Sequence, residues 1–570
     1  MPADRIEEEG GTISHMINLD DSPQPSYPSQ DQESQQVSPP EINEPEQAYV
    51  GRTEVLGNVT FDESLVRGNH EQHDTPSSFP LLDSQVLTMH KALDLPEPTT
   101  RRELVDHFME SCWPWTPVVD AAWLGDTAGR PTSPLLLQAV FLAGSRVATE
   151  EATAASGDFF RKAKVLFFHQ HEPRPLMSVV AAIVLQWWSP TGPEQVSHSN
   201  SGFWVHIAVG LAYQIGLHKE PKKGPSSALR RRIWWSLVCR DILISVGVGR
   251  PRTINLEDSD VLPPSIADFP RPDAQARLFV AYVEICQILG DVVQDRRRGW
   301  LSLAKKEIYE ALLYRWTREL SSDLRLVLEK DTKVRNVYDV GSRQLHVVYF
   351  VVLIILSSSD GSKAPATASM VAASFIAGIH SEFTEHADIR RLGPIFAFYL
   401  LTAALSLLPA LKYASLAESA MQDFTSIYEV LWRLSKKWGS AKGLLNPLLA
   451  AKRSAEAQPR LHSAPAPMTV TMRPLFHELG SSGLCRVWDM CCPASADTSA
   501  NFPDEQRAAG NMTNEMAPSA PETPHAPRND FLDELTDEIE GYSALHQWQL
   551  DLNQYWNELM DSWTFSGAFI

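Results

Sequence analysis

Between residues 85 and 450, apolar side chains recur at helical spacing in one segment after another, while alternating patterns and hairpin turns are scarce. That periodicity leaves little room for a sheet. Leu104, Phe108 and Met109 share one helical face, and Pro114 and Pro117 end that helix because proline cannot continue the hydrogen-bond ladder. A second helix is predicted over 133–146, with Pro134 at its start, where a missing N–H costs nothing. Further helices are expected over 159–169, 176–188, 201–217, the Arg- and Trp-rich stretch from 230, 274–297, 305–331, 342–357, 365–384, 393–408 and 413–437. The spacing therefore predicts an all-α, multi-helical domain over 85–452, with no fixed-period repeat.

The flanks differ in composition. Residues 1–80 hold 16 acidic residues, three arginines and no lysine. Residues 1–84 are expected to be a disordered acidic segment, because so little apolar surface cannot offset the entropy of ordering. Residues 453–527, rich in Pro, Ala and Ser, read as a linker. The whole chain carries a formal charge of -20, so no general basic surface attracts phosphate. Nucleic-acid contact would need a local basic segment or a partner. The six cysteines are scattered and point to a reducing compartment rather than a disulfide framework. The first 30 residues lack a secretory signal. The longest apolar run, 347–356, is too short to span a bilayer, so no membrane association is expected.

The most specific pattern lies in 201–264. A glycine-containing helix ends in Gly216, Leu217 and His218. Arg231, Arg232, Trp234, Trp235, Arg240 and Asp241 follow on one helix. Gly249, Arg250 and Pro251 make a turn, and Asp258, Asp260 and Pro263 mark the exit. This ordered set resembles the core signature of the fungal-specific transcription factor domain, the middle homology region of zinc-cluster transcription factors, with weaker similarity over 85–450. The signature reads as structural: Arg231, Arg232 and Arg240 are expected to pair with Asp241, Asp258 or Asp260, while the tryptophans fill the core. The resemblance implies a nuclear regulator of transcription, controlling a metabolic gene set such as one for secondary-metabolite biosynthesis. It also implies a helical domain that restrains activity or senses a signal. The family's binuclear zinc cluster needs six closely spaced cysteines, and none precedes Cys112. The cluster is missing from this sequence. Its loss and its position upstream of Met1 both remain open readings, as does a homo- or heterodimer. The chain would reach DNA directly or through a partner transcription factor. A zinc-cluster-less co-regulator is the main alternative. A helical-bundle enzyme is a third, against which stands the lack of any catalytic constellation.

No metal or cofactor is expected. Cys485, Cys491 and Cys492, with His477 nearby, match no standard zinc spacing and read as incidental thiols. The run from His169 to Glu172 reads as a helix end. Lys222, Lys223, Arg230, Arg231 and Arg232 form one basic cluster suited to nuclear import; 296–298 with 305–306 forms another. The tail, 528–570, holds nine acidic residues and one basic. Phe531, Leu535, Ile539, Trp548, Tyr555, Trp556, Trp563 and Phe565 sit among those charges. Charge keeps such aromatics solvated until a partner groove accepts an amphipathic helix, which suits an activation segment recruiting coactivator or mediator-type proteins. The alternative is a helix that docks on the chain's own domain.

Overall fold

The structure, a computed structural model, describes residues 49, 80–125, 132–327, 337–357, 367–469, 471–477 and 479–492. They lie within one compact unit, Pro40–Ile570; the other unit, Met1–Pro39, falls outside the described residues. Of the acidic segment 1–84 only residues 49 and 80–84 are described, and 80–84 open a helix; 493–527 of the linker and the tail 528–570 fall outside the described residues.

The helices are α1 Pro80–Met89, α2 Pro98–Ser111, α3 Pro134–Val147, α4 Glu150–Phe168, α5 Pro175–Leu185, α6 Ser201–Gln214, α7 Ser227–Val248, α8 Ala274–Arg297 and α9 Leu303–Glu319. After them come α10 Val340–Ser357, α11 Thr367–Glu385, α12 Phe396–Leu407, α13 Ala417–Ser435 and α14 Gly439–Glu456. Among the described residues there is no strand; an isolated bridge joins Tyr413 and Leu461. The fold is all-α, as the periodicity requires.

Local chemistry sets the helix ends. The Ser133 hydroxyl accepts from Leu136 N–H, and Pro134 opens α3. Thr149, Asn200, Asp273 and Ser302 cap α4, α6, α8 and α9 in the same way. Two central helices, α3 and α10, are buried on nearly every side, so they lack a polar face. α10 is long and apolar enough to cross a membrane, but 89% of it is buried inside the protein. α3 packs on α2, α4 and α5, whereas α10 packs on α8, α11 and α12. α8 also packs on α7 and thereby joins the two halves.

The stretch read as a linker behaves differently at its start. Residues up to Glu456 complete α14, whose buried face is Leu444, Leu448, Ala451 and Ala455. Further on, Met472, Leu475, Phe476, Leu484 and Val487 are buried. Phe476 stacks on Phe375 at 6.1 Å, and Tyr349 donates its hydroxyl to Leu475 O at 2.8 Å. Arg486 pairs with the fully buried Asp423. The backbone of this segment comes so near α11 that a Cβ on Gly378 would sit 1.9 Å from Leu484 O. Residues 471–477 and 479–492 are a strap on α10 and α11, held by apolar burial that their Pro-rich neighbourhood conceals.

His346 and His380 are fully buried on the adjacent helices α10 and α11. Each uses Nδ1 to bond the carbonyl four residues earlier, Ser342 O at 2.8 Å and Ile376 O at 2.7 Å. Burial lowers both imidazoles to about 4. The unfolded chain therefore binds more protons than the native one between about pH 4 and the ordinary histidine value near 6.5. The stability these neutral rings contribute is complete above that value and is lost as pH falls toward 4, at most about 3 kcal/mol per ring. Urea midpoints are expected to drop between pH 6.5 and 4.5, and His380→Leu should flatten that slope. An unchanged slope would show that His380 titrates normally.

Candidate functional site

The signature residues gather where α6, α7 and the loop to α8 meet. α6 ends because Gly216 takes φ +66, a left-handed conformation that suits glycine. Leu217 N–H then bonds Ala212 O at 2.9 Å, and Gly216 N–H bonds Tyr213 O at 3.1 Å, closing the helix terminus. Tyr49 packs over this turn, its ring edge-on to His218 at 4.8 Å. His218 is itself buried, and desolvation, aided by Lys219, pushes its imidazole below the usual range.

The exit segment clasps this turn. Ser259 Oγ and Asp260 N–H both donate to His218 O, at 3.0 and 3.4 Å. Asp260 Oδ1 accepts from Glu220 N–H at 2.7 Å, and Lys219 Nζ donates to Asp258 O at 3.0 Å. Glu220 Oε2 accepts from Leu262 N–H at 3.0 Å. Pro263 is exposed beyond this clasp. On α7, Trp234 is fully buried, and Trp235 donates its indole N–H to Leu262 O at 2.7 Å. Asp241 accepts from Thr253 N–H at 3.0 Å and Ile254 N–H at 2.9 Å, which folds the Gly249, Arg250, Pro251 turn back on α7. Gly249, at φ +71, caps α7, and Arg250 donates to Pro193 O at 2.9 Å.

The arginine pairing is a correction to the sequence reading. Arg231 bonds Glu220 and, at 2.7 Å, Asp268, rather than Asp241, Asp258 or Asp260. Those two carboxylates, Glu220 first, raise the guanidinium above its ordinary value, and Arg231 in turn holds Glu220 below the usual carboxylate range. Arg232 and Arg240 pair with no carboxylate among the described residues; Arg232 lies over the Phe269 ring at 5.4 Å. Asp258 and Asp260 are exposed and serve the main chain of the clasp. Sequence reasoning passed over Glu220 and Asp268. A signal was available: Glu220 lies two residues after His218, and Asp268 sits in a local capping box with Ser265.

Of the first basic cluster, Lys222 and Lys223 are exposed, Arg230 bonds Ile215 O at 2.7 Å, Arg231 is in its ion pair, and Arg232 is buried. In the second, Arg296 donates to Ile355 O at 3.0 Å, Arg297 to Ser245 O at 2.6 Å, and Lys305 to Asp295 at 2.8 Å. His169 meets Asp83, and Glu172 meets Arg174. The described residues contain no group of three or more His, Cys, Asp or Glu able to hold a metal. Cys485, Cys491 and Cys492 are buried in the strap, and burial pushes the Cys491 thiol up to about 12. An open cleft of about 330 Å³ lies between α6 and the turn after α7, lined by Asn200, Phe203, His206, Ile244 and Pro251. Asp241 also borders it but is committed to two backbone amides, which leaves no free acid–base pair there.

Comparison with known proteins matches the same region. The sequence profile described as "Fungal specific transcription factor domain" matches residues 105–278. The chain is similar to the acetamidase regulatory protein of Aspergillus fumigatus, 31% identical over 442 residues, covering 71% of this chain and 55% of that protein. The protein of the same name in Emericella nidulans is 29% identical, with 72% and 54% covered. Cutinase transcription factor 1 alpha of Fusarium vanettenii is 29% identical over 241 residues, 38% of this chain and 26% of its own. The chain spans about half the length of the acetamidase regulators it matches. No solved structure matches significantly. The turn, the arginine–tryptophan helix and the clasp all fall inside the matched range, and the chain carries a fungal specific transcription factor domain over residues 105–278.

Proposed function

We propose that this chain is a fungal transcription regulator that acts in the nucleus on a metabolic gene set. What supports the reading best is the coincidence of the family match with a signature in which Arg231, Trp235, Asp241 and Asp260 are spent on holding one fold. Relatives named as transcription factors or regulators agree with it, among them a fusaric acid cluster transcription factor. On this reading the helical domain is a scaffold without a catalytic role. DNA is reached directly or through a partner transcription factor, and purified chain in a mobility-shift assay separates the two. Exposed Lys222 and Lys223 are the import candidates that remain.

The tail at 528–570 acts as the activation segment in this proposal, its aromatics engaging a coactivator groove. Fused to an unrelated DNA-binding domain in yeast, the tail is expected to drive a reporter. Changing Trp548, Trp556 and Trp563 together to Ala should lower that output about tenfold or more, since buried aromatics dominate such contacts. A well-expressed but silent wild-type fusion would remove the activation role and favour docking on the chain's own domain.

A further inference from the structure

α7 carries a polar stripe at four-residue spacing: Arg232, Ser236 and Arg240. Residues so spaced share one helix face. All three are buried, at 3%, 0% and 8% exposure. Buried polar groups in folded proteins are almost always hydrogen-bonded, and a buried guanidinium is normally matched by an acid. Here Arg232 Nε, Ser236 Oγ and Arg240 Nε have no hydrogen-bond partner, and neither arginine enters an ion pair among the described residues. The fields of Asp120 and Asp268 reach Arg232, though neither forms an ion pair with it among the described residues. Asp120 caps Ala122 N–H, while Asp268 serves Arg231 and Ser265. Burial lowers Arg232 to about 10, against the opposing pull of those two carboxylates.

The surroundings are aromatic. Phe269, beneath Arg232, meets Phe279 edge-on at 5.9 Å. Tyr282 packs on Trp115 at 5.0 Å. The Tyr399 hydroxyl, on α12, is buried without a partner. Arg240 is the cation acting on both the Tyr282 and Tyr399 phenols, which burial pushes well up. Three helices, α7, α8 and α12, thus bring two guanidinium groups outside any ion pair, a serine hydroxyl and a phenol, the last two without a hydrogen-bond partner among the described residues, to one interior region.

We propose that this stripe binds a small organic dicarboxylate, one carboxylate on the fork of Arg240 near Tyr399 and the other on the fork of Arg232, with Ser236 between. The two Cα atoms are ~12 Å apart along the helix, and the long side chains can converge on a short diacid. A planar fork matches carboxylate geometry with two parallel hydrogen bonds. The aromatic lining suits a methylene chain. Two buried positive charges call for a dianion, which neutralises both at once. The site does not depend on the transcriptional role: a binding assay tests it, and reporter output tests the other.

The experiment is thermal unfolding and calorimetric titration of the purified full chain with succinate and glutarate at constant ionic strength. Acetate, inorganic phosphate and the neutral succinamide serve as comparison probes. A saturable rise in Tm with a diacid, weaker with acetate and missing with succinamide, is the expected result. Arg240→Met should melt above wild type without diacid, because an apolar side chain replaces an unpaired buried charge, and should need about 10- to 100-fold more diacid for half-saturation. Should that variant not fold, Arg240→Lys keeps the charge but loses the fork, and the same weakening is expected. Arg230→Met, whose guanidinium is spent on Ile215 O, should bind as wild type does. The proposal is overturned if neither diacid moves the wild-type Tm, if phosphate acts as well as a diacid, or if both Arg240 variants bind with wild-type affinity.

Discussion

Replacing Glu382 by Leu is expected to destabilise the protein by about 3–5 kcal/mol, a large share of the stability of any domain. Arg343 on α10 is 0% exposed and Glu382 on α11 is 7% exposed. Arg343 Nε donates to Glu382 Oε2 at 3.1 Å, and its Nη1 donates to Val337 O and Ser342 Oγ, each at 3.4 Å. Tyr338 stacks on His386 at 3.7 Å and donates to Asp388 at 2.7 Å, which seals the end of the pair. Removing the carboxylate takes away the attraction of Glu382 for this buried guanidinium, so that its desolvation is no longer offset by that partner. The double change Arg343→Met with Glu382→Leu removes both charges and should recover most of the loss. Urea unfolding of the two single variants and the double one, at unchanged m-value, measures this. A single-variant loss below about 1 kcal/mol would mean that the pair is solvated rather than buried.

Gly144→Ala should be nearly as damaging, against the usual trend. Inside a helix, alanine is ordinarily about 1 kcal/mol better than glycine. At Gly144, however, a Cβ would lie 2.0 Å from Leu104 O and 2.9 Å from its carbonyl carbon. Those are backbone atoms of α2, so no side-chain rotation relieves the clash. α2 would have to lift from α3, disturbing the buried Leu104, Phe108 and Cys112. The net cost is expected to be on the order of 3 kcal/mol. Gly210, on α6, is the control: a Cβ there meets nothing within 4 Å, so Gly210→Ala should gain up to about 1 kcal/mol. Melting curves of the two variants should therefore shift in opposite directions. Shifts in the same direction would show that α2 and α3 do not cross as closely as described.

Much of this architecture was legible because helical periodicity survives in each segment. The predicted 274–297 and 342–357 helices correspond to α8 and α10, with α10 beginning two residues earlier. Two helices escaped. α1 lies at the edge of an acidic, Pro-rich stretch, and α14 contains Gly443 and Pro447, which argue locally against a helix although its apolar face overrides them. The strap at 471–477 and 479–492 was hidden by composition: its few apolar residues are spaced irregularly and find their partners on α10 and α11. The fate of the signature arginines was legible only in part. Asp241 follows Arg240 directly, which suggests a pair, but adjacent helical residues point about 100° apart and Asp241 turns to the amides of Thr253 and Ile254. The same geometry leaves Arg240 alone, a fact that no spacing in the sequence reveals.

The regulatory role itself is tested most directly by chromatin immunoprecipitation of the epitope-tagged chain in its native host, read beside transcript levels in a deletion strain. The account predicts enrichment at the promoters of a defined metabolic gene set, with those transcripts changed by the deletion, whether contact is direct or through a partner. A tagged, functional chain that shows no promoter enrichment, with transcripts unaltered by its loss, would contradict it.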